Sequence, residues 1–118
     1  MSDYLLGLDA GLTRTKAVIF TPDGEVVAQS GRDTPEDRPD PDRREVDPEA
    51  LFEASAATIR ETLADGDVAA EDVAALGVSA HGHGLYTLDA DGDPARPGIK
   101  STDSRATDLL EEWESNGT

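Results

Sequence analysis

The 118-residue chain contains no cysteine. Disulfides, zinc–thiolate centres and cysteine nucleophiles are therefore excluded together. Aromatic residues make up only 4% of the sequence, so any core must be built mainly from Ala, Val, Leu and Ile. Lysine is almost missing: Lys16 and Lys100 are the only two among 10 basic residues, against 26 acidic ones, and the net charge is −16. Such a surface repels nucleic-acid phosphates and anionic lipid, which argues against nucleic acid and membrane as partners. Scarce lysine with excess carboxylate also resembles proteins of salt-loving organisms, whose acidic groups keep the surface hydrated at high ionic strength. No apolar run approaches the roughly 20 residues that span a bilayer. The opening MSDYLLGLDAG lacks the basic and apolar regions of a signal peptide, and a cytoplasmic location is expected. The length suits one domain or a piece of one.

What is present begins with two apolar runs rich in β-formers, Tyr4–Leu8 and Thr15–Thr21, on either side of a tight polar segment. TPDG, residues 21–24, reads as a turn with Pro at its second position, and EVVAQS follows as a third strand. Short links between three consecutive strands favour an antiparallel meander. Residues 31–46 carry three prolines, many charges and almost nothing apolar, and are expected to form an exposed acidic loop. Asp47-Pro48-Glu49 has the cap, first-turn proline and early carboxylate of a helix start. Phe52, Ala56, Ile59 and Leu63 recur at helical spacing, which predicts the packed face. Gly66 suits the helix end. Leu76–Ala80 reads as a buried strand, GLYTLDADGD as a strand entering a turn, and residues 98–102 as a possible further strand. Thr102 or Asp103 can cap a last helix whose face carries Ala106, Leu109, Leu110 and Trp113. Strands and helices in this order fit an α/β fold with a mixed sheet and flanking helices.

Two constellations carry possible chemistry. In the first, Asp9 stands at the end of a strand, where a carboxylate can meet hydrated Mg²⁺. Gly11 permits a sharp turn and close approach of a phosphate to its N–H. Thr13 and Thr15 offer hydroxyls, and Arg14 and Lys16 offer positive charge. A plain β-turn explains the same residues equally well from spacing alone. The segment is not a P-loop, because G-x-x-x-x-G-K-[ST] is missing and β-rich sequence continues after Lys16, and G-x-G-x-x-G is missing too. In the second, GVSAHGHGLYTLD holds the only two histidines, His81 and His83, among glycines. Imidazoles there can exchange hydrogen bonds with hydroxyl groups. A structural turn and a two-histidine metal site are the alternatives, the latter without a third ligand at suitable spacing. GIKSTDSRA adds Ser101, Thr102, Asp103 and Arg105, which suit either binding or a capped helix start.

Taken together, GLDAGLTRTKAVIFTPDGEVVA, REVDPEALFEA, LGVSAHGHGLYTLDADGDPARPGI and STDSRA resemble, in order and spacing, the N-terminal part of the first domain of the FGGY family of carbohydrate kinases. The likeness runs from Tyr4 to Trp113. It implies a partial ribonuclease H-like domain of the actin and hexokinase type, and transfer of the γ-phosphoryl of ATP to a sugar or polyol hydroxyl. On that resemblance Asp9 would help position Mg²⁺, while Gly11, Thr13, Thr15 and Lys16 would line the phosphate loop. His81, His83 and Asp103 would lie on the substrate side. Leu12 departs from the usual Thr or Ser, and Ser101 replaces the family's Trp. GHGHGLY with STDSRA looks more like the branch acting on L-xylulose, related pentuloses or small polyols than like glycerol kinase. The family's catalytic Asp is expected beyond residue 118, and its adenine pocket belongs mainly to a second domain. The resemblance therefore implies a segment inactive alone, needing a C-terminal part. A non-catalytic module that pairs with another chain, such as a homodimer, is the alternative.

Overall fold

The computed structural model describes residues 3–117. In chain order the elements are β1 (Tyr4–Ala10), β2 (Arg14–Phe20), β3 (Val26–Asp33), β4 (Glu45–Val46), α1 (Pro48–Asp65), β5 (Val73–Ala80), β6 (Gly98–Ile99) and α2 (Thr107–Ser115), with a 3₁₀ turn at Ala70–Asp72. They form two units. The first comprises residues up to Pro35 together with Glu49–His81, and the second comprises Glu36–Pro48 and the residues from Gly82 onward.

The first unit holds a four-stranded mixed sheet in the order β3-β2-β1-β5. β1, β2 and β3 form the expected antiparallel meander, and β5 returns parallel to β1 after the α1 crossover. Alternation along the strands separates two faces. Leu6 and Leu8 of β1 and Thr15, Ala17 and Ile19 of β2 are buried on one of them, while Asp9 and Lys16 stand on the other, paired directly across the two strands. Leu6, Ile19 and Val68 centre the core, with Tyr4, Ile59, Leu63 and Val73 packed around them.

α1 begins where Asp47-Pro48-Glu49 predicts, but its buried residues are Ala54, Thr58 and Thr62. That stripe lies about a third of a turn round the axis from the Phe52-Ala56-Ile59-Leu63 face. Phe52 is 72% exposed. The threonines can face the sheet because each hydroxyl donates back to the carbonyl four residues earlier, Thr58 to Ala54 at 2.6 Å and Thr62 to Thr58 at 2.7 Å. Ser30 Oγ of β3 lies within hydrogen-bond reach of both the Thr58 carbonyl and the Thr62 hydroxyl, and its single hydrogen, given to either, ties sheet to helix. The left-handed residue after α1 is Asp67, at φ 51°, and not Gly66. Gly66 is needed for closeness instead: a Cβ there would come within 3.0 Å of the Ala28 side chain.

Two further expectations change. β5 is a strand but an edge one, with Leu76 52% and Val78 62% exposed, so it is not buried. The segment expected as an exposed loop over 31–46 is ordered at both ends, by β3 up to Asp33 and by β4.

In the second unit β4 pairs antiparallel with β6. GLYTLDADGD forms only isolated bridges, Leu85 with Ile99 and Leu88 with Pro94, around a turn in which Asp89 accepts from the N–H groups of Asp91 and Asp93. The strand expected over 98–102 is limited to Gly98–Ile99. α2 starts with Ala106 at its cap position and no side-chain cap, so neither Thr102 nor Asp103 fills that role. Its Leu109, Leu110 and Trp113 are exposed.

Candidate functional site

The polar segment between β1 and β2 is a hairpin closed by Gly11, whose N–H donates to the Arg14 carbonyl at 3.0 Å. A Cβ on residue 11 would lie 2.5 Å from that carbonyl oxygen, so the turn demands glycine for steric reasons. This corrects one part of the sequence reading. The Gly11 N–H is engaged within the hairpin, and the glycine does not hold it open for a phosphate.

A chain of hydroxyls supports the hairpin from behind. Thr34 Oγ1 donates to the Gly11 carbonyl at 2.9 Å, and its own N–H donates to the Thr13 carbonyl at 2.9 Å. Thr15 Oγ1 lies 2.9 Å from Thr34 Oγ1. Thr34 has one hydroxyl hydrogen, and Gly11 receives it, so Thr15 must be the donor to Thr34. Thr15 is fully buried. It is therefore a strut beneath the loop and does not line its outer surface, which corrects its assignment to phosphate contact. Thr34 was missed by sequence reasoning because it sits in a stretch dominated by charge and proline.

The outward residues of the hairpin are Asp9, Thr13, Arg14 and Lys16. Arg14 bonds Asp33 at 3.1 Å. Asp9 has Lys16 across the β1–β2 ladder and Ser79 across the β1–β5 ladder. Beside them an open trough of about 480 Å³ runs over the uncovered sheet face, lined by Gly7, Asp9, Lys16, Phe20, Gly77 and Ser79 among others. Its floor is low because Gly7 and Gly77 are register partners. On the other side of Lys16, a second depression is lined by Arg14, Lys16 and Gly31 among others. Gly31 lets those long cationic side chains lie close across β3, since a Cβ there would meet both at 3.2 Å. Two exposed carboxylates, Asp9 and Asp33, and two cations, Arg14 and Lys16, thus share the mouth of the sheet in a strongly acidic chain.

Among the described residues no group of three or more His, Cys, Asp or Glu is placed to hold a metal ion. Asp9 is a lone carboxylate. That donor set fits Mg²⁺, which is commonly held by one or two carboxylates with water and substrate phosphates completing its shell.

His81 belongs to the same unit, at the end of β5. Its N–H donates to the Ala10 carbonyl at 3.0 Å, and its Nδ1 lies 3.1 Å from the same oxygen. His83 belongs to the second unit and adopts φ 62°, a left-handed conformation that a non-glycine residue reaches only at a cost of about 1–2 kcal/mol. The glycines beside it differ: a Cβ on Gly82 would meet nothing within 4 Å, whereas one on Gly84 would lie 2.7 Å from the Tyr86 ring. Gly84 makes room for Tyr86, whose hydroxyl pKa is raised by desolvation.

Asp103, also in the second unit, has a side chain only 3% exposed. Oδ1 accepts from the N–H and Nε of Arg105 at 3.0 and 2.8 Å, and Oδ2 accepts from the Arg44 N–H and Arg105 Nη2, both at 2.7 Å. Four donors saturate a carboxylate. The Arg105 guanidinium, with the two N–H groups, holds this carboxyl far below the usual range despite its burial. Arg105 in turn bonds Glu45 at 2.6 Å, and its own pKa is pushed up by Asp103 and then Glu45. Asp103 is therefore a clamp between the STDSR turn and β4, with no acceptor left for a substrate, which corrects its expected role. Nearby, Lys100 is 2% exposed and pairs with Glu36 at 3.0 Å. Glu36 also bonds Arg38 at 2.7 Å, and that bond leads in lowering its pKa. The Asp103–Arg105 pair is local, but Arg44, Glu45 and Glu36 lie far from residue 103 in sequence, so no local signal could have revealed those links.

No helix among the described residues is long and apolar enough to cross a membrane. The model for the N-terminal domain of the FGGY family of carbohydrate kinases matches residues 4–118. The probable L-xylulose kinase of Haemophilus influenzae is 32% identical over 111 residues, which cover 94% of this chain and 23% of that protein. A glycerol kinase of Thermus brockianus is 35% identical over 115 residues, covering 97% and 23%. Among solved structures, xylulose kinase from Rhodospirillum rubrum superposes with a TM-score of 0.82 at 27% identity, covering 96% of this chain and 23% of that one. The chain thus spans about a quarter of the length of the relatives it matches.

Proposed function

The chain belongs to the FGGY family of carbohydrate kinases, with part of that family's ribonuclease H-like, actin- and hexokinase-type domain, and from that premise we propose that it supplies the phosphate-side portion of an ATP-dependent sugar or polyol kinase. The observation that carries this reading is the pairing of Asp9 with Lys16 on the uncovered sheet face, at the mouth of a hairpin held rigid by Gly11, Thr34 and Thr15. Phosphoryl transfer depends on positioning and charge stabilisation. Mg²⁺, when bound at Asp9, would neutralise charge developing on the β- and γ-phosphates of ATP. Lys16 adds a second positive charge there, and Thr13 at the exposed tip offers a hydroxyl donor. His81, in the same unit as Asp9 and Lys16, would exchange hydrogen bonds with acceptor hydroxyls. A ketopentose such as L-xylulose, or a small polyol, is the substrate class we favour, from GHGHGLY with STDSRA.

On this reading the family's catalytic Asp and adenine pocket lie outside the matched segment, and the 118 residues alone should form no ADP from ATP, Mg²⁺ and a panel of pentuloses. Grafting residues 4–118 in place of the matching segment of the Haemophilus influenzae protein tests the positive part. The chimera should form ADP with L-xylulose, and Asp9→Asn should lower kcat at least about a hundredfold, as expected when a charge-stabilising group is lost. A folded chimera whose turnover ignores Asp9→Asn refutes the site, and turnover by the chain alone refutes its inactivity.

One observation favours a second reading, a non-catalytic module completed by another chain. Edge strand β5 carries exposed Leu76 and Val78 and offers a pairing edge. A concentration-independent dimer in light scattering, lost on Val78→Lys, would support it; a monomer would reject it.

A further inference from the structure

Asp9 and Lys16 stand directly opposite each other across the β1–β2 ladder, where side chains begin about 4.5–5.5 Å apart and opposite charges ordinarily join. They do not join here. Among the described residues Lys16 is the one basic side chain of the ten with neither an ion pair nor a hydrogen bond, although the chain has 26 acidic residues. The cause lies on the other flank. Gly31 is the register partner of Lys16 across the β2–β3 ladder, and a Cβ on it would stand 3.2 Å from Lys16 Cγ. The lysine stem therefore leans over β3, toward the space a side chain would fill, and away from β1. Arg14 Nη2 rests over the same glycine, also 3.2 Å from that position. Asp33 bonds the Arg14 guanidinium at 3.1 Å, so the lysine is not set against an uncompensated like charge.

We propose that Gly31 is a positioning residue, which keeps the two charges of the site apart by giving the Lys16 stem a place to lie. The proposal rests on the kinase reading, in which Asp9 serves a divalent cation and Lys16 a phosphate. An ion pair between them would cancel both, since the carboxylate would give its oxygens to the ammonium and the ammonium its hydrogens to the carboxylate. Side chains occupy a few staggered wells. A side chain on residue 31 closes the well over β3, and of those that remain the one toward β1 gains the attraction of Asp9. The third neighbour of the added Cβ, the Thr15 carbonyl oxygen at 3.2 Å, belongs to the backbone of β2 and is the least able to yield. The flexible stems are what move. Opposite charges across a ladder stabilise a sheet, and at this hairpin the sequence forgoes that gain by placing glycine beside the lysine.

Nuclear Overhauser contacts within the 118-residue chain read the placement directly. The Lys16 γ-protons should lie near the α-protons of Gly31 and not near the β-protons of Asp9, and Gly31→Val should bring the Lys16 side chain onto Asp9. The probe for function is inorganic triphosphate with Mg²⁺, followed through the amide signals of residues 13–16. Gly31→Val should weaken its binding about tenfold, the equivalent of one hydrogen bond to a charged group, and Lys16→Gln should do the same. Combined, the two should cost no more than either alone, because they remove one contact; a merely structural defect would add to the loss of the lysine. Gly31→Ala, which brings only the Cβ, should move both readouts in the same direction and decides the matter if valine unfolds the sheet. A Lys16 stem lying against Asp9 in the parent, or unmoved by either substitution, overturns the inference. So do additive losses, or triphosphate binding untouched by Gly31→Val where Lys16→Gln weakens it. If Lys16 swings as expected but the parent gives no response to triphosphate, or one that ignores Lys16→Gln, the phosphate reading fails and the positioning role with it, while the placement of Lys16 stands.

Discussion

Replacing Gly11 by alanine should destabilise the chain in the absence of any ligand. The added Cβ would stand 2.5 Å from the Arg14 carbonyl oxygen, an atom of the backbone that no side-chain rotation can clear. Ordinary carbon–oxygen contact needs more than 3 Å, so the oxygen must withdraw by several tenths of an ångström, and the 3.0 Å Gly11 N–H to Arg14 bond opens. Losing that bond costs about 1 kcal/mol, and forcing the crowded hairpin apart adds about 1–3 kcal/mol by analogy with overpacked interiors. The total is about 2–4 kcal/mol, which at a urea slope of about 1–3 kcal/mol/M shifts the unfolding midpoint down by on the order of 1–2 M. Gly77→Ala is the control. A Cβ there meets nothing within 4 Å, and alanine in a strand should stabilise by about 0.5–1 kcal/mol. Urea titrations of both variants, followed by far-ultraviolet circular dichroism, make the comparison. A Gly11→Ala midpoint equal to the parent's would refute the steric account and return the glycine to the role of opening the loop for phosphate.

The meander of the first three strands and the extent of α1 were legible because their signals are local. Alternation in LLGLDA and TKAVIF marks half-buried strands, and Asp47-Pro48-Glu49 marks a helix start. The face of α1 was legible in part, since Ile59 and Leu63 do pack against the core, but its most buried stripe was not, for a reason specific to threonine. Hydropathy counts Thr58 and Thr62 as polar, yet in a helix each satisfies its own hydroxyl on the preceding turn, so their methyl groups can enter the interior. Apolar Phe52, which periodicity favours, stays outside. β5 was misjudged in the opposite sense: its apolar run marks a strand correctly, but burial depends on whether a neighbour covers the edge, which composition does not encode. The site divides similarly. Asp9 and Lys16 were found because a carboxylate and a cation flanking a turn stand out in the text. Thr34 was not, because its side-chain partners lie 19 and 23 positions away; around Asp103 the Arg105 bonds are local, but the Arg44 N–H that completes its saturation comes from 59 positions away.

The acidic surface yields one further expectation and the second unit another. If the carboxylate excess is a salt adaptation, the melting temperature should rise between dilute buffer and about 2 M KCl, where screening acts within a few ångströms; an unchanged or lower value would reject that reading. Asp103→Asn should destabilise the chain at neutral pH and flatten its response to acid. The sign follows from the depressed carboxyl: the unfolded chain binds this proton near the ordinary aspartate value of about 4, while the folded chain resists until well below it. The clamp therefore contributes its full stability above that value and loses it as pH falls further. Glu36, also depressed, acts in the same direction and remains in the variant. Melting temperatures of parent and variant should accordingly converge between about pH 5 and pH 2. Parallel curves would mean that Asp103 is not ionised against Arg105 in the folded chain, and the clamp would have to be abandoned.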